Sequence, residues 1–424
     1  MRIGLETWGT EGDVQPFLAL ARGLSAAGHR VTLVVTEITN KRFDRFGERW
    51  GFRVRHPGRI NVDAAQYRDL ASRLFLERNP VKRGDLVVRH FLDPVVEDLL
   101  RDGKALASES DLVVGHFFVY PLKIAAGKAG CPFAMLFTTP LVPTRYVPPM
   151  GIPETARWMN PVWWKVFDLA LQWVWKPAMD RLYRREGVPV ERTVLYDIWR
   201  SPLLNLVSTS PALFPPPPDW KGRVHLCGFM NLPDPEIAQE VPGDLIRFLE
   251  AGPPPVYMTF GSMLADDPDP RRITALLVEA AWLAGCRAIV QSNWNEAGDL
   301  VLPPDVFPVI RAPHARVFPA CAAVVHHGGA GTTQTATRAG CPSIVVEHAS
   351  DQPLWGALLH RRGLAPRVLH RRTVTAVKLA RAVRQVMETP SMTRRAQAIG
   401  SRMGGEDGVT RGVSLIEDRL SRLS

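Results

Sequence analysis

The chain opens on a short β-prone run, Arg2–Thr7, followed by the polar stretch Gly9-Thr10-Glu11-Gly12-Asp13. Val14, Phe17, Leu18, Ala21 and Leu24 then recur at helical spacing. They predict an amphipathic helix over 14–27, ended by Gly28 as its C′ glycine. Val31–Val35 is an apolar run that predicts a second strand. Strand, loop, helix and strand within forty residues open a doubly wound α/β domain. The loop falls at the carboxyl end of the first strand, where such folds take their ligands. Leu112–Val114 and Phe133–Phe137 predict strands flanking a helix over 121–130, and Leu203–Ser208 predicts another strand.

The same rhythm returns in the second half. Predicted strands at Pro255–Phe260, Ala288–Gln291, Val306–Ile310, Ala322–His326 and Ser343–Val346 accompany predicted helices at Arg271–Ala284 and Thr332–Ala339. Between the halves, Pro215–Pro218 and the prolines at 233, 235 and 242 read as a stiff linker. The pattern thus predicts two Rossmann-like domains facing each other across a cleft. The first covers 1–213, with a Trp-rich helical insert at 145–200. A Pro-rich linker follows over 214–243, then a second domain over 244–400 and a C-terminal helix over 401–424.

With 424 residues and 46% hydrophobic content, the chain has material for two full cores, and 22% charged residues exclude wholesale disorder. The five cysteines, at 131, 227, 286, 321 and 341, form no CxxC pair. That argues against a zinc site or disulfide scaffold and fits a reducing, cytoplasmic setting. The start of the chain does not read as a signal peptide, and no apolar run reaches the ~18 residues of a membrane span. Residues 361–424 hold fourteen Arg or Lys against five Asp or Glu, a surplus of nine in a chain of net charge +10. Such a tail reads either as a solvated face or as peripheral attraction to an anionic surface.

The densest chemistry lies in Val324-Val325-His326-His327-Gly328-Gly329-Ala330-Gly331-Thr332-Thr333. A buried strand runs into histidines, turns through glycines and opens a helix. Glycines let the backbone approach a ligand, and a helix N-terminus offers free N–H groups to phosphate. Thr259-Phe260-Gly261-Ser262 is a second, weaker loop of this kind, and Asp351-Gln352-Pro353 places a carboxylate beside an amide, as sugar hydroxyls require.

These segments, in this order, resemble family 1 glycosyltransferases of the GT-B fold, and most of all the sterol 3-β-glucosyltransferases and their bacterial relatives. Gly9–Phe17 (GTEGDVQPF) is similar to that subgroup's GTRGDVQPF. Phe137–Thr144, His326–Thr333 (HHGGAGTT), Asp351–Gly356 (DQPLWG) and Glu406–Val409 also follow the family's pattern. The resemblance implies a nucleotide-sugar donor, usually UDP-glucose, as co-substrate rather than cofactor. By position, Ser262, His327, Gly329, Gly331, Thr332 and Thr333 would hold its diphosphate, and Asp351 and Gln352 the hexose. Trp294, His314 and Val317 would border the base and ribose. The C-terminal helix of such enzymes commonly crosses back to the first domain. The chain departs from the family pattern at Arg316, where the family has Trp, and at Glu347 and His348, which replace residues beside the hexose.

Asp13 is expected to act as general base on the acceptor hydroxyl, a role the resemblance also assigns, and its alternative is a helix cap. Direct displacement would invert the anomeric centre. His29 is a rival by type, but it lies in the turn after the helix. Asp267-Pro268-Asp269 reads as an acidic helix cap rather than a metal motif, so no metal is expected. Residues 158–199 hold six of the twelve Trp. Within 162–175, Lys165, Asp168 and Gln172 recur on one side, leaving a wide aromatic face. That face reads as core, as membrane contact, or as the acceptor lining, with Trp163, Trp164, Trp173 and Trp175 as the candidate lining residues. The expected partners are a nucleotide sugar and a lipophilic alcohol such as a sterol or triterpenoid, with no nucleic acid. The alternatives are a polyketide or other secondary metabolite as acceptor, sugar-nucleotide epimerisation, and non-catalytic binding of a nucleotide sugar or lipid.

Overall fold

A computed structural model describes residues 1–38, 41–57, 69–70, 72–74, 77, 79–152, 156–220, 222–232, 241–261, 269–294 and 300–422. The strands are β1 (Arg2–Gly9), β2 (Arg30–Glu37), β3 (Arg53–Arg55), β4 (Leu112–His116), β5 (Phe133–Phe137), β6 (Leu204–Val207) and β7 (Val224–Leu226) in one sheet. A second sheet holds β8 (Val256–Met258), β9 (Ala288–Gln291), β10 (Val306–Val309), β11 (Ala323–His326), β12 (Ser343–Glu347) and β13 (Leu369–His370). In chain order the helices are α1 (Glu11–Ala26), α2 (Asp44–Trp50), α3 (Pro80–Val87), α4 (Val96–Glu109), α5 (Tyr120–Ala129), α6 (Asn160–Arg185) and α7 (Gly243–Glu250). They continue with α8 (Pro270–Ala284), α9 (His314–Val317), α10 (Ala330–Arg338), α11 (Gln352–Arg361), α12 (Ala376–Met387), α13 (Pro390–Gly404) and α14 (Gly408–Ser421).

The first sheet runs in the order β3-β2-β1-β4-β5-β6-β7 and the second in the order β10-β9-β8-β11-β12-β13. Neighbouring strands are parallel throughout. Parallel strands buried on both faces explain why the sequence shows continuous apolar runs rather than alternation. Val113 and Val114, adjacent in β4, enter different cores, one beneath α4 and α5 and the other beneath α1.

The stretch expected as a linker contains β7, which joins β6 as the last strand of the first sheet. The connection to the second domain therefore begins after Leu226 rather than at 214. At the other end, α13 packs on α10 and α12 of the second domain, while α14 packs on α1 and β6 of the first. Val413, Ile416 and Leu420 of α14 complete the core around Phe17 and Leu20. The chain thus returns at 405–407. There, Gly408 lies so close to Gly228 that a Cβ on Gly408 would stand 2.7 Å from the Gly228 carbonyl.

Tail arginines serve the fold. Arg362, Arg372, Arg384 and Arg419 donate to the carbonyls of Ala212, Glu77, Leu283 and Gly222, and Arg371 is buried. Among the described residues no helix is long and apolar enough to cross a membrane.

Candidate functional site

Each sheet has one switch point, where strand order reverses and the loops on either side part to leave a crevice. In the first sheet it lies between β1 and β4, and in the second between β8 and β11. Thr10 follows β1 and Asp13 lies in the first turn of α1, and β4 ends on His116. The loop after β8 carries Gly261, and the loop after β11 carries His327, Gly328 and Gly329.

Asp13 is the third residue of α1, which starts three residues earlier than the apolar periodicity predicts. Thr10 is the N-cap, and its backbone N–H and Oγ1 donate to Asp13 Oδ2 at 2.8 and 3.0 Å. Asp13 is thus part of a capping box. Gly9, at φ +140°, is required beside it, because a Cβ there would stand 2.4 Å from Asp13 Oδ2. Asp13 Oδ1 lies 3.8 Å from His116 Nε2. Burial pushes the Asp13 carboxyl up to about 6 against the two Thr10 hydrogen bonds, and the charges of Asp351 and Glu37 push the same way. Burial pushes His116 down to about 3, so it is a neutral ring at physiological pH. Neither of its nitrogens has a hydrogen-bond partner among the described residues.

In the second domain, Gly329 caps α10, and Thr333 N donating to Gly329 O at 2.9 Å is the first bond of the helix. The amides of Ala330, Gly331 and Thr332 are left without an intrahelical acceptor, aimed out of the helix N-terminus. The His327 ring lies between two glycines. A Cβ on Gly329 would come within 2.4 Å of His327 Nε2, and one on Gly261 within 2.9 Å of Cε1. Burial holds His327 down to about 4, and its buried Nδ1 has no partner among the described residues. Thr333 Oγ1 is buried beneath the loop and is likewise unpartnered among them. Ser262 lies outside the described residues.

Asp351 and Gln352 open α11. Asp351 Oδ2 accepts from Trp355 Nε1 at 2.8 Å and, across the cleft, from Thr139 Oγ1 at 2.9 Å. Burial raises its pKa despite those two donors. Gln352 Oε1 accepts from the amides of His348 and Ala349 at 2.6 and 3.0 Å, so this oxygen shapes the loop. Among the candidate base-site residues, His314 Nε2 meets Gln291 Oε1 at 2.9 Å, and its ring stacks on Phe318, with centroids 4.6 Å apart. Val317 is fully buried, and Trp294 Nε1 donates to Val309 O at 3.1 Å.

Comparisons with known proteins bear on the family and the fold. Residues 3–50 fit the glycosyltransferase family 28 N-terminal domain, and 286–407 fit the erythromycin biosynthesis protein CIII-like C-terminal domain. A Streptomyces fradiae protein, O-mycaminosyltylonolide 6-deoxyallosyltransferase, is 30% identical over 99% of this chain and 97% of its own. The chain belongs to the GT-B glycosyltransferases. A sterol 3-beta-glucosyltransferase of Arabidopsis thaliana is 29% identical to this glycosyltransferase over 99% of the chain, and the match spans 68% of the plant protein. A fungal sterol glucosyltransferase from Cryptococcus neoformans is matched over 27% of its length. The solved glycosyltransferase VinC in complex with dTDP has a TM-score of 0.66 at 20% identity, with both chains fully covered.

The Trp-rich insert of this glycosyltransferase departs from its expected arrangement. The four Trp do not form one lining. Trp164 and Trp175 are buried, Trp163 is half-buried, and Trp173 is 74% exposed. Trp164 Nε1 donates to Val147 O at 2.9 Å, and Trp175 packs on Phe118 and Trp199. The expected polar side is also split. Asp168 turns inward, accepting from Leu195 N and Gln172 Nε2 at 2.7 Å each. A buried backbone N–H needing an acceptor outweighs solvation of that carboxylate.

Sequence reasoning missed His116 and Thr139. Each reaches the site through contacts distant in sequence; His116 is the last residue of the apolar strand β4, and Thr139 is the second of two threonines after β5.

Proposed function

We propose that the protein transfers a hexose from a nucleoside diphosphate sugar to a hydroxyl of a lipophilic acceptor, with inversion at the anomeric carbon. The observation that carries this reading is Asp13 at one switch point. One of its oxygens is held by Thr10, and its field overlaps that of Asp351 from the opposing domain. Asp13 Oδ1 takes the acceptor's proton, the acceptor oxygen forms its bond to the anomeric carbon, and the bond from that carbon to the diphosphate breaks. The departing charge meets the amides of Ala330, Gly331 and Thr332 and an N–H of neutral His327, with Ser262 and the Thr332 hydroxyl as further donors. Asp351 and the Gln352 amide hold the sugar, and Trp294, His314 and Val317 border the base. With these donors meeting the diphosphate, transfer needs no divalent ion.

The resemblance favours UDP-glucose and a sterol or triterpenoid. The Streptomyces relative, matched end to end and named for transfer of a deoxy sugar to a tylonolide, and the dTDP complex of VinC support a second reading, with a dTDP-sugar and a polyketide acceptor. Mass spectrometry of the protein incubated with UDP-glucose or a dTDP-deoxyhexose, and sterol or macrolide acceptors, separates the two. A hexosylated product supports the proposal, and its donor and acceptor choose between readings. Donor binding without transfer to any acceptor would overturn the proposal.

A further inference from the structure

Helix α6 carries its apolar residues on the wrong side for a simple surface helix. Val162, Val166, Leu169 and Trp173, spaced by four, three and four residues, are 50%, 46%, 63% and 74% exposed, and Trp158 just ahead of the helix is 75% exposed. A surface helix ordinarily turns such a stripe inward. Here the inner face is already filled by Trp164, Trp175, Met179 and Leu182, and the buried bonds of Asp168 fix the helix's rotation. The stripe is committed to the outside.

Among the described residues, the exposed charges beside it have one sign. Arg145, Arg157 and Lys165 are exposed, with Arg157 lying over the ring of Tyr146 at 5.1 Å, and Tyr146 itself is part-exposed. Among the described residues 141–179, the one carboxylate is that of Asp168, and it is buried. Aliphatic side chains along the middle, aromatic rings towards the ends and cations beside them match the layering of an anionic bilayer, from acyl chains to headgroups.

We propose that this face of α6 docks the protein on an anionic lipid surface. The helix is tied to the segment that leads into the cleft. Trp164 Nε1 and Asn160 Nδ2 donate to the carbonyls of Val147 and Arg145, and Thr139, at the start of that segment, holds Asp351. A membrane on α6 therefore lies beside the route an apolar alcohol takes to Asp13. That use of the docking rests on the proposed function. The docking itself does not, and it is read without turnover.

The test is co-sedimentation of the full chain with phosphatidylcholine vesicles, with and without phosphatidylglycerol, for the wild type, Leu169→Gln/Trp173→Gln and Lys165→Glu. The wild type is expected to bind the anionic vesicles and to release in high salt. The double variant is expected to bind at least roughly tenfold more weakly with an unchanged melting temperature, and Lys165→Glu to lose the preference for phosphatidylglycerol. Absence of wild-type binding, or undiminished binding by the double variant, would overturn the proposal. So would a concentration-dependent dimer, dispersed by the double variant, in a protein that ignores vesicles. That result would assign the stripe to a second copy of the chain.

Discussion

Thr139 donates from Oγ1 to Asp351 Oδ2 at 2.9 Å, joining loops that follow β5 of the first domain and β12 of the second. The first domain thereby occupies, with a hydroxyl of its own, the carboxylate proposed to hold sugar hydroxyls. A donor must displace that hydroxyl. A hydrogen bond to a charged group contributes about 1.5 kcal/mol net, so Thr139→Val should lower the donor's KM several-fold with little change in kcat. A higher KM in initial-rate measurements would mean that Thr139 assists the donor instead. Asp351→Asn should reduce kcat/KM for the sugar donor by about tenfold or more while nucleoside diphosphate affinity, measured by calorimetry, stays level.

Asp13 gives the pH dependence. Its folded pKa of about 6 lies above the ordinary 3.8, so the ionised base is lost as pH falls through about 6. The limb of kcat/KM should appear there, and Asp13→Ala should cost at least about a hundredfold in kcat while retaining donor affinity. The sign for stability is the reverse of that for a salt-bridged carboxylate. The folded state holds the proton more tightly, so stability is lost as pH rises from about 4 to about 6. Asp13→Asn still accepts from Thr10 N–H and escapes that loss. For a side chain that keeps 29% of its exposure, this amounts to roughly 1–2 kcal/mol. Its melting temperature relative to wild type should therefore be higher at about pH 8 than at about pH 4.

The phosphate loop has a steric test. Gly329→Ala brings a Cβ to 2.4 Å from His327 Nε2 and forces the ring out of its slot, while φ at 329 is −65°, which alanine adopts freely. The donor's KM should rise by roughly tenfold or more, with an unaltered circular dichroism spectrum and only a small change in melting temperature. An unchanged KM would remove His327 from the diphosphate site.

Chelation tests how leaving-group charge is met. With amides and neutral His327 in that role, initial rates should be the same with EDTA as with added Mg²⁺ or Mn²⁺. Loss of activity in EDTA, restored by either ion, would overturn it.

The return of the C-terminal chain has its own test. Gly408→Ala directs a methyl group into the backbone of Gly228 and Phe229, which have no side-chain freedom to yield. Overpacking of this kind costs about 1–3 kcal/mol, and thermal unfolding should show it as a drop of several degrees.

Much of the fold was legible because buried parallel strands are written as uninterrupted apolar runs. Phe133–Phe137 and Ala288–Gln291 begin and end where the runs do. Of the four edge strands, β10 is predicted from its apolar run and the other three escaped notice. β3, β7 and β13 have two or three residues each and few apolar side chains, so their pairing is set by the neighbouring strand rather than by their own pattern. The start of α1 was misplaced because Gly12 reads as a loop residue. The capping pair Thr10 and Asp13, which outweighs it, is carboxylate-based but one carbon shorter than the usual Glu. At the candidate site, Gly329, His327 and Asp351 stand out because several constrained residues fall together in sequence. His116 and Thr139 do not, since what they meet is more than a hundred residues away. The same blindness to distant partners put Asp168 on the polar side of α6. Helical spacing places Asp168 with Lys165 and Gln172, and only Leu195 N shows why it turns inward.

The backbone contact at Gly228 and Gly408 also bears on motion. The polypeptide passes between the lobes twice, once outward after Leu226 and once back at 405–407, and the two passages touch. Two strands of one chain pinned together behave as a single pivot. A rotation of a few degrees there leaves the pivot almost still and swings remoter parts of the lobes through the largest arc. Beside that contact Glu406 accepts from Ser210 Oγ and Ala212 N, tying the returning chain to the first lobe. A change in the angle between the lobes would thus turn about one backbone contact, with Asp13 and the phosphate loop on opposite arms.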